Sequence, residues 1–205
     1  MSAPVSVADV VALGRACYLT GSILEEWARK ATPKQREFLH AMLTAEHDSR
    51  QDSRRTRLLK PAHLPAVKTL QGYDWTAVHF PADYDQTRLA TLEFIDHAHD
   101  LVLFGDVGTG KTHLACALVA ACCANGIPAR YYTASALVMA LRHAKETGRL
   151  DKELTNLAKN QLIAIDELGY LPIDADGARL LFQVISDAYE QRSLIITTNL
   201  EFSRW

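Results

Sequence analysis

The chain has 205 residues, of which 48% are apolar, and its 22 lysines and arginines against 24 aspartates and glutamates give a net charge of −2. That length allows one full domain, or one domain with a small appendage, and a core that needs neither disulfides nor metals. The charge balance excludes a uniformly basic coat for nucleic acid, though not a local basic face. The longest apolar run, residues 114–124, falls well short of the ~18 residues that suggest a membrane span. The N-terminus lacks a basic segment followed by an apolar stretch, so the expected setting is cytoplasmic, with no membrane partner. Cys17, Cys116, Cys122 and Cys123 form no CxxC pair, and three of them fall in one predicted helix, where they read as small buried hydrophobes.

Charge is unevenly spread. Residues 1–60 carry a net +3, residues 61–86 a net −2 and residues 87–205 a net −3. The basic part reads as a helical arm. Residues 22–30 suit a short helix. Thr32 suits an N-cap, with Pro33 at the first helical position and Gln35 completing a capping box. Phe38, Leu39, Met42 and Leu43 then make an apolar stripe, whereas residues 46–57 hold no large apolar side chain and can continue only as a solvated helix. Pro61 and Pro65 end it. Three parts are therefore expected: an arm at 1–60, a linker at 61–86 and an α/β body at 87–205. In the body, apolar runs at 101–104, 129–132, 162–165 and 194–198 read as strands. They alternate with helices at about 111–124, 134–145 and 178–191. Such alternation predicts a parallel sheet covered on both faces.

The chemistry concentrates at three strand ends. Residues 105–112 read GDVGTGKT, the G-x-x-x-x-G-K-[ST] pattern, between a predicted strand and a predicted helix. In such a loop Gly105, Gly108 and Gly110 free the backbone to turn its N–H groups inward, and the helix beginning near Lys111 adds its positive end. Asp106, Val107 and Thr109 complete the loop. Lys111 supplies an ammonium for the β and γ phosphates of ATP, and the Thr112 hydroxyl a ligand for Mg²⁺. His113 follows in the first helical turn, where packing or hydrogen bonding beside the loop suits it better than catalysis. The run LIAIDE at 162–167 sets two carboxylates at the C-terminal end of a strand, where ligands of parallel sheets bind. Asp166 is expected to hold Mg²⁺, and Glu167 to polarise an attacking water, which favours hydrolysis over phosphoryl transfer to an acceptor as in a P-loop kinase. Asn199 ends the strand expected beside the loop strand and can reach the γ-phosphate or the water. Arg50, Arg54, Arg55, Arg57 and Lys60 form a basic cluster, read either as a solvated helix face or as a phosphate-backbone contact to DNA. Tyr73, Trp75 and Phe80 are expected in the core, with a place over the adenine base as the alternative.

These residues resemble the IstB-like ATP-binding proteins, transposition helper ATPases of insertion sequences that are similar to the DnaC helicase loaders in the AAA+ class. The resemblance rests on KTL at 68–70 with YDW at 73–75, GDVGTGKTHLA at 105–115, DELGYLP at 166–172, YEQRS at 189–193, TTNL at 197–200 and FSRW at 202–205. It implies a P-loop sheet of strand order 5-1-4-3-2, a DNA-associated helical arm, and homo-oligomers on double-stranded DNA that serve a transposase. A replicative helicase is the partner in the alternative, loader-like reading. The family's chains continue beyond the FSRW segment to an arginine finger, a fifth strand and a lid. Ending at Trp205 therefore implies a truncated body with impaired turnover, or an ATP-binding remnant that does not hydrolyse. Arg192 and Arg204, the basic residues after Arg179, do not match the finger position. Without its fifth strand the sheet would expose the P-loop strand as an edge prone to self-association.

Overall fold

The computed structural model describes residues 4–170 and 172–200. The chain divides into two compact units between Thr56 and Arg57. In the first, α1 (Val7–Ala16) packs against α2 (Gly21–Lys30), and α3 (Pro33–Leu59) begins there. Ser6 caps α1 in a capping box with Asp9. The expected box at α3 is present: the Thr32 backbone N–H donates to Gln35 Oε1 at 2.8 Å, and the Gln35 N–H to Thr32 Oγ1 at 3.4 Å. Val10, Cys17, Ala28 and Leu43 form a small buried core. From residue 46 to 57 α3 is a solvated helix; Leu58 and Leu59 pack on the core of the second unit, and a 3₁₀ turn at Lys60–Ala62 that contains Pro61 ends it.

The second unit is the α/β body. After the short helices α4 (Gln86–Ala90) and α5 (Glu93–Asp96), strand β1 (Leu101–Phe104) leads into α6 (Lys111–Ala124). Then come β2 (Ala129–Thr133), α7 (Ala134–Glu146), α8 (Leu150–Ala158), β3 (Leu162–Asp166), α9 (Ala175–Ala188) and β4 (Ser193–Thr198). The strands are all parallel, in the order β1-β4-β3-β2. This is the implied order for the four strands described. Alternation along the strands builds two cores. Leu162, Ala164 and Ile195 join α6 on one face, while Ile163, Ile165 and Leu194 join α7 and α9 on the other.

Several expectations are corrected here. Residues 61–86 do not behave as a linker: Leu64, Leu70, Tyr73, Trp75, Phe80 and Tyr84 pack on the α6 core. That stretch lacks periodicity because its apolar residues reach the α6 core from irregular chain. β1 is not buried on both faces. Val102 and Phe104 are 40% and 51% exposed, since the α7–α9 layer rests on β2, β3 and β4. Helix α9 starts three residues early because Asp174 caps it, accepting the Gly177 N–H at 2.9 Å. Helices α1, α4, α5 and α8 have no counterpart in the sequence reading.

Candidate nucleotide site

The loop between β1 and α6 is built by glycine. Gly108 and Gly110 adopt φ of +85° and +88°, a region that side chains rarely enter. A Cβ on Gly110 would also lie 3.1 Å from the Tyr73 hydroxyl. That hydroxyl donates to the Gly110 carbonyl at 3.4 Å. Val107 stands at the exposed tip. The Lys111 ammonium curls back over the loop and donates to the carbonyls of Gly105 and Asp106, both at 2.7 Å. Thr109 Oγ1 donates to the same Asp106 carbonyl at 2.8 Å. His113 turns away: its Nε2 lies 3.3 Å from the Thr69 carbonyl, and its ring meets the Tyr73 ring edge-on. Tyr73 also meets Trp75 edge-on, and Trp75 stacks on Phe80. This aromatic row abuts the loop from the core side.

At the end of β3, Asp166 is only 1% exposed. Its Oδ1 accepts from Thr112 Oγ1 at 3.2 Å and from the Thr197 hydroxyl, and its Oδ2 accepts from the Tyr131 hydroxyl at 2.5 Å. Three elements, α6, β2 and β4, thus converge on one carboxylate. Burial raises the Tyr131 pKa far above the usual phenol range, and the hydrogen bond to Asp166 and its charge add to the effect. The Cys116 thiol, one turn past Thr112, is pushed up to about 11 by burial, with the Asp166 charge contributing. Glu167 is exposed and takes left-handed backbone, φ +60°. It leaves the plane of the sheet, so the two adjacent carboxylates sit in different environments.

A cleft of about 370 Å³ opens here, lined by Val107, Gly108, Gly110, Lys111, Thr112, Glu167, Tyr170, Thr197, Thr198 and Asn199. The structure therefore brings the loop, Glu167 and Asn199 together, with Asp166 buried behind Thr112. Gly105, Asp106, Thr109 and His113 lie outside the cleft wall. The donors at its base are a hydroxyl and a carboxylate 3.2 Å apart, hard oxygen ligands of the kind Mg²⁺ takes, so the residues present fit that ion. The sequence reading assigns no role to Tyr131, and takes Thr197 only as part of the TTNL segment. A polar residue inside an apolar strand, two before Asn199, was the available signal for Thr197; Tyr131 gives none.

On α3, Arg50 pairs with Glu46 at 2.6 Å and lies over the Tyr18 ring, and Arg55 pairs with Asp52 at 3.3 Å. Arg50, Arg54, Arg55, Arg57 and Lys60 are all exposed. Leu171, residues 202–205 of the family segment and Arg204 lie outside the described residues.

Known proteins resemble the chain in sequence and in fold. An insertion-sequence (IS5376) protein of Geobacillus stearothermophilus, named as ATP-binding, is 36% identical over 184 residues, covering 90% of this chain and 73% of its own length. The corresponding IS21 protein of Pseudomonas aeruginosa is 35% identical over 191 residues, covering 92% and 71%. Among solved structures, the replication initiator DnaA bound to AMPPCP and single-stranded DNA superposes with a TM-score of 0.55 at 18% identity. The match covers 67% of this chain and 43% of DnaA, a likeness of fold. The family described as IstB-like ATP binding protein matches residues 22–205, and the chain belongs to it.

Proposed function

We propose that the chain is a Mg²⁺-dependent ATPase that assists transposition of an insertion sequence, acting on double-stranded DNA with a transposase, as a homo-oligomer in the cytoplasm. One observation carries the reading: Lys111, Thr112, Glu167 and Asn199 line a single cleft backed by Asp166. The relatives' names supply the insertion-sequence context. Among the described residues no helix is long and apolar enough to cross a membrane.

In this reading the phosphates lie along the loop, and the Lys111 ammonium exchanges its carbonyl partners for phosphate oxygens, a charge-assisted contact. Thr112, and Asp166 through water, would hold Mg²⁺, which when bound would neutralise charge on the phosphates. Glu167 accepts a hydrogen bond, then the proton, from the water that attacks the γ-phosphorus, as the bond from that phosphorus to the β–γ bridging oxygen breaks and ADP leaves. Asn199 donates to the γ-phosphate or fixes that water. The basic end of α3 contacts the DNA backbone without reading sequence.

Turnover by the 205-residue chain with and without double-stranded DNA tests the function, and Glu167→Gln tests the assignment. The substitution keeps the shape and removes the base, so ATP affinity is expected to stay within about twofold while turnover falls about a hundredfold or more. A Glu167→Gln chain that hydrolyses ATP at the parent rate would show that Glu167 is not the base.

A further inference from the structure

Thr197 sits where the β3–β4 ladder gives out. The regular parallel register ends at Ile165 opposite Ile196. Beyond it the Thr197 side chain takes over. Its hydroxyl donates to Asp166 Oδ1 and accepts the Glu167 backbone N–H at 3.0 Å, while its carbonyl accepts the Leu168 N–H at 2.9 Å. A hydroxyl has one proton to give and lone pairs to receive, so one atom serves both partners without conflict. Thr197 is 2% exposed, so water offers little substitute. The next residue continues the seam: Thr198 Oγ1 donates to the Leu168 carbonyl at 2.9 Å.

The residue held in this way is a non-glycine in left-handed backbone. That conformation persists only where its surroundings impose it. The Thr197 hydroxyl and carbonyl grip the amides of the two residues that make the turn, and the same hydroxyl grips the buried carboxylate before it. Asn199 follows two residues later, immediately past the end of β4.

We propose that Thr197 is a positioning residue: its hydroxyl locks the turn that aims Glu167 into the cleft and ties that turn to Asp166. The inference rests on the ATPase reading above. It predicts that the hydroxyl, not the methyl, matters. Thr197→Val preserves shape and burial but removes both hydrogen bonds; Thr197→Ser keeps them.

The test uses the full 205-residue chain and reads both backbone and chemistry. By residue-resolved amide exchange, the Glu167 N–H is expected to exchange about threefold to tenfold faster in Thr197→Val, the range one lost hydrogen bond supports. The Leu168 N–H, held by a backbone carbonyl, is expected to change less. With ATP as probe, kcat is expected to fall about tenfold to a hundredfold, the effect of a misplaced reacting group, with KM and calorimetric ATP affinity within about threefold of the parent. Thr197→Ser is expected to restore the exchange rate and kcat. Unchanged exchange in Thr197→Val, unchanged kcat, or Thr197→Ser behaving like Thr197→Val would each overturn the proposal. If Thr197→Val does not fold, Thr197→Ala against Thr197→Ser makes the same comparison. Absence of ATP turnover by the parent chain would instead bring down the ATPase reading, and parent-like turnover by Glu167→Gln the assignment of its base; in either case the exchange data would still decide whether Thr197 holds the turn.

Discussion

Asp166 is a buried charge held by three hydroxyls from three elements, and its surroundings set what substitutions cost. Tyr131→Phe removes one donor and leaves a carboxylate oxygen short of a partner. Destabilisation of about 1.5–3 kcal/mol is expected, to be read as a lower urea midpoint. A midpoint equal to the parent's would mean that Tyr131 does not support the carboxylate. Lys111→Ala acts on the ligand instead. Loss of a charge-assisted phosphate contact is expected to weaken ATP binding about tenfold to a hundredfold by calorimetry, and equal affinity would refute the phosphate assignment. Lys111, Thr112, Asp166, Glu167 and Asn199 were legible because each belongs to a short pattern attached to a strand end. Tyr131 and Thr197 lie 35 and 31 residues from Asp166. Their roles arise from strand pairing, which the local pattern does not record for Tyr131 and marks for Thr197 only as a polar residue in an apolar strand.

At the scale of elements, the strands were legible to within a residue at each end, because four apolar runs stood clear of polar surroundings. The helices were less so, α6 excepted, expected at about 111–124 and found at Lys111–Ala124. It shows no polar face: nine of its fourteen residues are buried, as in a helix enclosed on every side. Its enclosure comes from residues 58–84, whose aromatic and leucine side chains carry no helical or strand period. The α3 cluster allows a direct test. Arg50, Arg54 and Arg57 recur at the spacing of one helical face. In Arg54→Ala/Arg55→Ala/Arg57→Ala, DNA affinity is expected to fall and the slope of log K against log salt to flatten by about 2–3. An unchanged slope would identify a solvated helix with no part in binding. The ion pairs of Arg50 and Arg55 are exposed and cost little to break, so they do not stand in the way of phosphate contact.

At the scale of the whole molecule, every residue assigned to the nucleotide cleft lies after Thr56. Residues 57–205 alone are therefore expected to bind ATP within about twofold of the full chain, since no contact of the cleft is removed; a larger loss would show that the first unit contributes to the site. Stability should also depend on pH on the alkaline side. Burial lifts the Cys116 and Cys122 thiols to about 11 and about 12, and raises Tyr131 as well. Between about pH 9 and pH 11 the folded chain keeps protons that the unfolded chain loses. Stability is then fully present below that window and declines as pH rises, by about 1.4 kcal/mol per pH unit for each group. A urea midpoint flat from pH 8 to pH 11 would contradict the burial of these groups.

The enclosure of α6 bears on how the molecule can respond to its ligand. In a helix clamped between a sheet and a second layer, sliding or tilting disturbs close packing on every side at once. Helix α6 is therefore not expected to move as a piston, and a nucleotide-dependent change of shape is expected first where β3 and β4 leave the sheet, around Glu167, Tyr170 and Asn199.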